Sequence, residues 1–243
     1  MSGAASVAVN LTWCLPGEVG GSEQYLVRQL LGAHEVDPDL RFTLYVPPSL
    51  PAARPELARV GHVVPMRFDG HRRARRIVAE STWLRRRARH EALVHHGGGT
   101  APLGARRPYV LTLHDLQYRT FPEWFSTVKR RYFDLMIPRS VCGAAAVTVP
   151  SEYVRARVVE EFDVQAERIH VVPHGYEPAL LQERTPEHVL RERYGLEGSR
   201  VLVYPAITHR HKHHTFLVDL LARHWRDDDL RLVLTGGAGA AEA

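Results

Sequence analysis

"SVAVNLTWCLPGEVGGSEQYLVRQLL", residues 6–31, decides how the rest of the chain is read. Val7, Val9, Leu11 and Trp13 alternate with smaller or polar residues, the period of a strand with a buried face. Leu26, Val27, Leu30 and Leu31 then recur at helical spacing. Ser22 stands at the start of that helix as a candidate cap. The loop between the two carries Gly20 and Gly21. Glycine admits positive φ and lets backbone approach a ligand, and the amides at a helix start suit a phosphate or a sugar hydroxyl. Neither G-x-G-x-x-G nor the P-loop's Gly-Lys-Ser/Thr is present. On these residues alone the loop is either a ligand loop or a flexible connector.

The same alternation continues downstream. Strand patterns fall at 41–47, 62–66, 92–96, 109–115, 145–151 and 168–175, and helical patterns at 71–90, 126–140 and 151–162 separate most of them. Val154, Val158 and Phe162 share one face of the last helix. Strands alternating with helices predict an α/β fold, a parallel sheet wound on both sides. A second βαβ start follows: a helix opening at Thr185-Pro186, then "RVLVYPA" (200–206), a helix over 215–224 and "LRLVLTGG" (230–237). Two strands and one helix enclose too little apolar surface to stand alone and leave strand edges unpaired. The expected organisation is a domain over 1–175, a linker over 176–199, and an incomplete second domain over 200–243.

The totals narrow the classes. The 243 residues are 44% hydrophobic and 24% charged, an ordinary globular composition. No apolar run approaches the ~20 residues of a membrane-spanning helix, and the N-terminus lacks a signal peptide's basic start. Cys14 and Cys142 are too few for a disulfide scaffold and suit a reducing compartment. A cytoplasmic location is expected.

Net charge is +5, but segment 71–90, "HRRARRIVAESTWLRRRARH", holds eight arginines against one acid, Glu80. Ala74, Ile77, Ser81, Leu84 and Ala88 form a narrow apolar stripe on a regular helical wheel. Arg72, Arg76, Arg87 and Trp83 fall on the opposite arc. That arc is read three ways: a solvated face, a surface for anionic membrane headgroups with Trp83 as interfacial anchor, or a nucleic-acid face. No recognition motif accompanies the last, so no nucleic-acid partner is expected.

Three strand ends carry further candidates. "TLHDL" (112–116) places His114 and Asp115 where open α/β sheets bind ligands. "VHHGGGTAP" (94–102) offers Gly97, Gly98 and Gly99 as a binding loop. "YPAITHRHKHH" (204–214) gathers Arg210 and Lys212, cations suited to a diphosphate. Its four histidines lack a neighbouring Cys or carboxylate, so no metal is assigned.

Taken in order, "GGSEQYLVRQLL", "HHGGGTAP", "VLTLHDL", "VTVPSEYVR", "IHVVPHGYEP" and "VLVYPAITHRHKHH" resemble glycosyltransferase family four, the retaining GT-B enzymes. The resemblance implies two Rossmann-like domains, the N-terminal one for the acceptor and the C-terminal one for a nucleotide sugar. It implies hexosyl transfer, mannosyl or glucosyl, to a saccharide or lipid-linked acceptor with retention of configuration. No cofactor or obligatory metal is implied. Gly20 and Gly21 would approach the donor diphosphate, His114 would lie beside the transferred sugar with Asp115 fixing the loop, and Gly97–Gly99 would meet the acceptor. Lys212, with Arg210, would stabilise the departing diphosphate. The family's paired-glutamate motif lies beyond residue 243, so the chain resembles a truncated member that lacks most of a donor site. Two alternatives stand beside this one: a non-catalytic module docking on anionic membranes at the inner face through 71–90, and a nucleotide-dependent oxidoreductase or epimerase, which the missing G-x-G-x-x-G opposes.

Overall fold

The computed structural model describes residues 6–105, 108–176, 184–226 and 229–237. The chain divides into two compact units, Met1–Gly175 and Tyr176–Ala243. In the first, β1 (Ser6–Asn10), β2 (Arg41–Val46), β3 (Gly61–Pro65), β4 (Leu93–His96), β5 (Tyr109–Thr112), β6 (Ala146–Val149) and β7 (Ile169–Val171) form one sheet. Its order is β3-β2-β1-β4-β5-β6-β7, and every pairing is parallel. The chain winds outward from β1 to β3 and then restarts at β4 on the other side of β1. The order therefore reverses between β1 and β4, the place where open α/β sheets bind ligands.

Two apolar layers cover the sheet, and β1 serves both. Val7 and Val9 pack with Tyr25, Leu26, Val27 and Leu30 of the helix Gly21–Val36. Ala8, on the opposite face, packs with Leu84, Ala88, Ile137, Val141 and Val158. This is the period-two alternation of a strand buried on both sides. Leu26, Leu44 and Leu111 are almost fully buried, and each such side chain stabilises by about 1.5–3 kcal/mol.

Local chemistry departs from expectation at three points. Ser22 does not cap the first helix: Gly20 is the N-cap, at φ 68° and ψ −128°, and no side chain bonds there. Positive φ at the cap is a place that glycine fills without strain. The helix expected at Thr185-Pro186 spans Glu187–Tyr194, with Pro186 itself as N-cap and no side-chain capping bond.

The third departure is the arginine segment. Its helix Arg73–Ala79 widens into a π turn over Glu80–Leu84 before Arg85–Arg87 and a 3-10 turn at Ala88–His90. The extra residue rotates everything after it relative to a regular wheel. Leu84 and Ala88 remain buried, but Ala74 is exposed, and Ala79 and Glu80 are buried instead. Trp83 is drawn inward against the core, its ring edge-on to Tyr45 at 5.5 Å. Arg76 points to Glu80 and keeps 14% of its side chain exposed. Trp83 and Arg76 are therefore not on an exposed arc, whereas Arg72 and Arg87 are exposed.

In the second unit β8 (Arg200–Pro205) pairs in parallel with β9 (Leu230–Thr235), and the helix His214–Arg223 lies between them in sequence. None of its described residues is buried, and Leu202, Val203, Phe216, Val218 and Leu234 are exposed. Residues 177–183 of the expected linker and 238–243 of the expected second domain lie outside the described residues.

Candidate functional site

The carboxyl ends of β1, β4 and β5 converge at the reversal of strand order. β5 runs into Leu113, His114 and Asp115. His114 Nε2 lies 3.1 Å from the carbonyl oxygen of Gly97, at the end of β4. A carbonyl only accepts, so Nε2 carries the hydrogen. Burial holds the ring's pKa below the usual histidine range, opposed by the Gly97 bond and the Asp115 charge. The neutral ring therefore presents Nδ1 as a lone pair, and that atom has no protein partner among the described residues. Trp13 and Tyr25 meet the ring edge-on, at 6.3 and 5.5 Å, which fixes its plane. His114, Gly98, Gly99 and Ser22 line an open pocket of about 160 Å³ with Leu113, Tyr118, Phe125, Phe133 and Ile137. Asp115 also lines it, so the pocket offers an apolar floor beside one imidazole and one carboxylate, a surface suited to the face of a sugar ring and its hydroxyls.

Asp115 is exposed, and its Oδ1 accepts a hydrogen bond from the Gln117 amide at 3.0 Å. It shapes the turn after His114. The three glycines of the β4 loop divide by role. A Cβ on Gly97 would lie 1.9 Å from Leu26 Cδ1, and one on Gly98 would lie 2.7 Å from the Trp13 ring. Gly97 is buried, so it serves packing rather than a ligand surface; Gly98 and Gly99 line the pocket, and Gly99 sits at φ 80°. Gly20 and Gly21 are exposed at the helix start, where a Cβ on either would meet nothing within 4 Å. Their amides lie in the helix's first turn, which has no intrahelical partners to offer them. Arg210 and Lys212 form a 3-10 turn in the second unit, both exposed, after β8.

A buried polar string that no sequence motif marks runs from Glu80 through Thr12 and Asn10 to His96. Glu80 is 7% exposed and its Oε1 lies 2.6 Å from Thr12 Oγ1. Thr12 Oγ1 lies 2.7 Å from Asn10 Oδ1, and Asn10 Nδ2 donates to His96 Nδ1 at 3.4 Å. Burial pushes His96 down to about 3 and His95 to about 4. Asn10, Arg73, Arg76, Glu80 and Tyr132 border a smaller polar pocket that shares Gly98 and Phe133 with the first. The signal for this string was Glu80 itself, a lone acid among eight arginines. Among the described residues no group of three or more His, Cys, Asp or Glu stands together to hold a metal, and no helix is long and apolar enough to cross a membrane.

Residues 19–180 match the description Glycosyltransferase Family 4. The chain belongs to that family. The match takes in the Gly20–Gly21 loop, the β4 glycines, His114 and the last strands of the first unit. No curated protein sequence matches this chain. Among solved structures it is similar to Anabaena HepE in complex with UDP-glucose, at 20% identity and a TM-score of 0.66 over 98% of this chain and 62% of HepE. HepE in complex with UDP and glucose aligns with a TM-score of 0.65 at 19% identity. A glycosyltransferase from Rickettsia africae ESF-5 follows at 10% identity and 0.56, over 97% of this chain and 69% of that one. At these identities the likeness speaks for the fold alone. This chain spans 62% of HepE's length.

Proposed function

We propose that this chain carries the acceptor side of a glycosyltransferase that moves a hexosyl group, glucosyl or mannosyl, from a nucleotide sugar to a saccharide or lipid-linked acceptor with retention of configuration. The observation that carries this reading is the posture of His114. Its ring is neutral, fixed by Gly97, and lines a pocket at the strand-order reversal, and its buried Nδ1 is claimed by no protein group among the described residues. On this reading Nδ1, unpartnered and closed from solvent here, accepts from a sugar hydroxyl once an acceptor is seated, while the aromatic floor takes the ring face. Gly20 and Gly21 supply amides for the donor diphosphate, and Arg210 and Lys212 supply charge where the leaving diphosphate develops it. This reading needs no metal or cofactor. Family membership supports it, as does the binding of UDP and UDP-glucose by the similar HepE.

The deciding experiment offers UDP-glucose and GDP-mannose to the protein with a panel of saccharide and lipid-linked acceptors and reads the product's anomeric configuration by NMR. Transfer with retention, reduced about 100-fold or more by His114→Ala, is the expected result. Transfer unaffected by that change overturns the reading, as does a failure of every acceptor in the panel to bind the protein.

The exposed arginines Arg85, Arg86, Arg87 and Arg89 favour a second role, docking on an anionic membrane surface. Liposome co-sedimentation that survives charge reversal at Arg86, Arg87 and Arg89 would exclude it.

A further inference from the structure

The smaller pocket has a chemistry that a neutral sugar does not require. It measures about 60 Å³ against the about 160 Å³ of the His114 pocket, which suits a compact polar group better than a ring. Two cations, Arg73 and Arg76, line it, and a third, Lys129, stands outside its lining. Arg76 Nε makes no hydrogen bond among the described residues and stands 3.6 Å from Glu80 Oε1. The Arg73 guanidinium lies over the Phe133 ring at 6.0 Å, and the Lys129 ammonium lies over the same ring at 5.5 Å. Among the described residues neither Arg73 nor Lys129 has a carboxylate at ion-pair distance. The one carboxyl in the pocket wall, Glu80, is engaged by Thr12. Burial, and then the charge of Arg73, depress the Lys129 pKa, and the Asp115 charge opposes them, so Lys129 and Arg73 feel one another. Gathering like charges costs stability unless an anion comes between them.

We infer that the pocket bounded by Arg73, Arg76 and Phe133 is a subsite for the carboxylate or phosphate of an acidic saccharide acceptor. This rests on the glycosyltransferase reading and gives the acceptor its class. Guanidinium groups hold carboxylate and phosphate oxygens in paired hydrogen bonds. The π turn after Ala79 helps to build the place, because it carries Glu80 inward while Arg73 and Arg76 remain at the rim. Phe133 and Gly98 form the shared wall with the His114 pocket. An acceptor whose ring lies on Phe133 beside His114 therefore extends its acidic group between the two arginines.

Calorimetric titration of the protein with glucuronate, glucose 6-phosphate, glucose and UDP tests this, with Arg73→Gln, Lys129→Gln and the exposed neighbour Arg72→Gln in parallel. At least one of the two acidic sugars binds at millimolar concentration and glucose at least ten-fold more weakly. Arg73→Gln weakens acidic-sugar binding about ten-fold, Lys129→Gln weakens it less, Arg72→Gln leaves it alone, and UDP binding is unchanged by all three. Equal binding of glucose, indifference to Arg73→Gln, an equal loss with Arg72→Gln, or no binding of either acidic sugar overturns the subsite. A parallel loss of UDP binding in Arg73→Gln assigns the cations to the donor's phosphates and also overturns it. Sugar transfer to a neutral acceptor without acid binding would remove the subsite and leave the transferase reading intact. Arg73-dependent acid binding without transfer would do the reverse.

Discussion

Thr12 Oγ1 lies 2.6 Å from Glu80 Oε1 while it also lies 2.7 Å from Asn10 Oδ1. One hydroxyl proton faces two acceptors. With Glu80 ionised, one of these contacts is oxygen against oxygen with no hydrogen between. With Glu80 protonated, the carboxyl donates to Thr12, Thr12 donates to Asn10, and Asn10 donates on to His96. Burial raises the Glu80 pKa; the Thr12 bond and the Arg76 charge oppose it. The geometry favours the protonated form. It also leaves the arginines beside it less neutralised.

Glu80→Gln preserves a donor for Thr12 and should leave the fold intact, whereas Glu80→Ala strands buried partners at a cost of about 1–3 kcal/mol. The sign with pH follows from the direction of the shift. Above the unfolded carboxyl's ordinary pKa, near 4.3, the unfolded chain gives up its proton while the native chain keeps it. Wild-type stability therefore falls as pH rises from there towards the native pKa. Urea unfolding at about pH 5 and about pH 8 should show Glu80→Gln gaining on wild type at the higher pH. A constant difference would mean that Glu80 is ionised in the native state.

Most of the sheet was legible because its strands are short apolar runs bounded by turn residues, as in "RFTLYVP" and "AAVTVPS". The strand ends were legible for the same reason, and with them His114 and the β4 loop. Helix register was not. A wheel at 3.6 residues per turn assigns Trp83 to solvent, but a single π turn carries it onto Tyr45. Nor does a sequence show that Gly97 is needed by Leu26, a contact between segments about 70 residues apart. Glycine for packing and glycine for a ligand look alike until the partner is placed.

The two histidines at the end of β4 set an acid limit on the fold. His95 Nε2 contacts Thr112 Oγ1 at 2.7 Å and His96 bonds Asn10, both as neutral rings. Their native pKa values, about 4 and about 3, lie below the ~6.5 of an unfolded histidine. Between those limits the unfolded chain binds more protons. Stability is whole above ~6.5 and is lost as pH falls towards 4, by about 1 kcal/mol per pH unit for each ring. Thermal unfolding followed from neutral pH downward should show this slope, and His95→Gln should reduce it by about half. An unchanged slope in that variant would place the acid sensitivity elsewhere.

Trp83 gives a sharp contrast between a membrane anchor and a core side chain. Its ring packs on Tyr45 and the buried cluster of Leu84 and Ala88. Trp83→Ala should destabilise by about 2–3 kcal/mol, below the 3–5 of a fully buried aromatic because the side chain is only half-buried. Chemical denaturation measures this directly. Loss of liposome binding without loss of stability would restore the anchor.

Gly97 and Gly21 both precede or open a ligand-facing segment, yet the structure asks different things of them. A methyl on Gly97 falls 1.9 Å from Leu26 Cδ1, within a core where Leu26 is 1% exposed and has nowhere to retreat. Gly97→Ala should therefore cost about 1–3 kcal/mol through overpacking, and the Leu26 shift should move the helix that begins at Gly21. Gly21 has open space at its Cβ and its φ is not in the left-handed region. Gly21→Ala should therefore leave stability within about 0.5 kcal/mol of wild type, or raise it through lower unfolded-state entropy. If Gly21→Ala weakens nucleotide-sugar binding while stability holds, the loop's backbone approaches the donor, because the added methyl can then only be opposing a ligand. Unaltered binding in Gly21→Ala, together with a stable Gly97→Ala, would mean that neither glycine is needed for its small size.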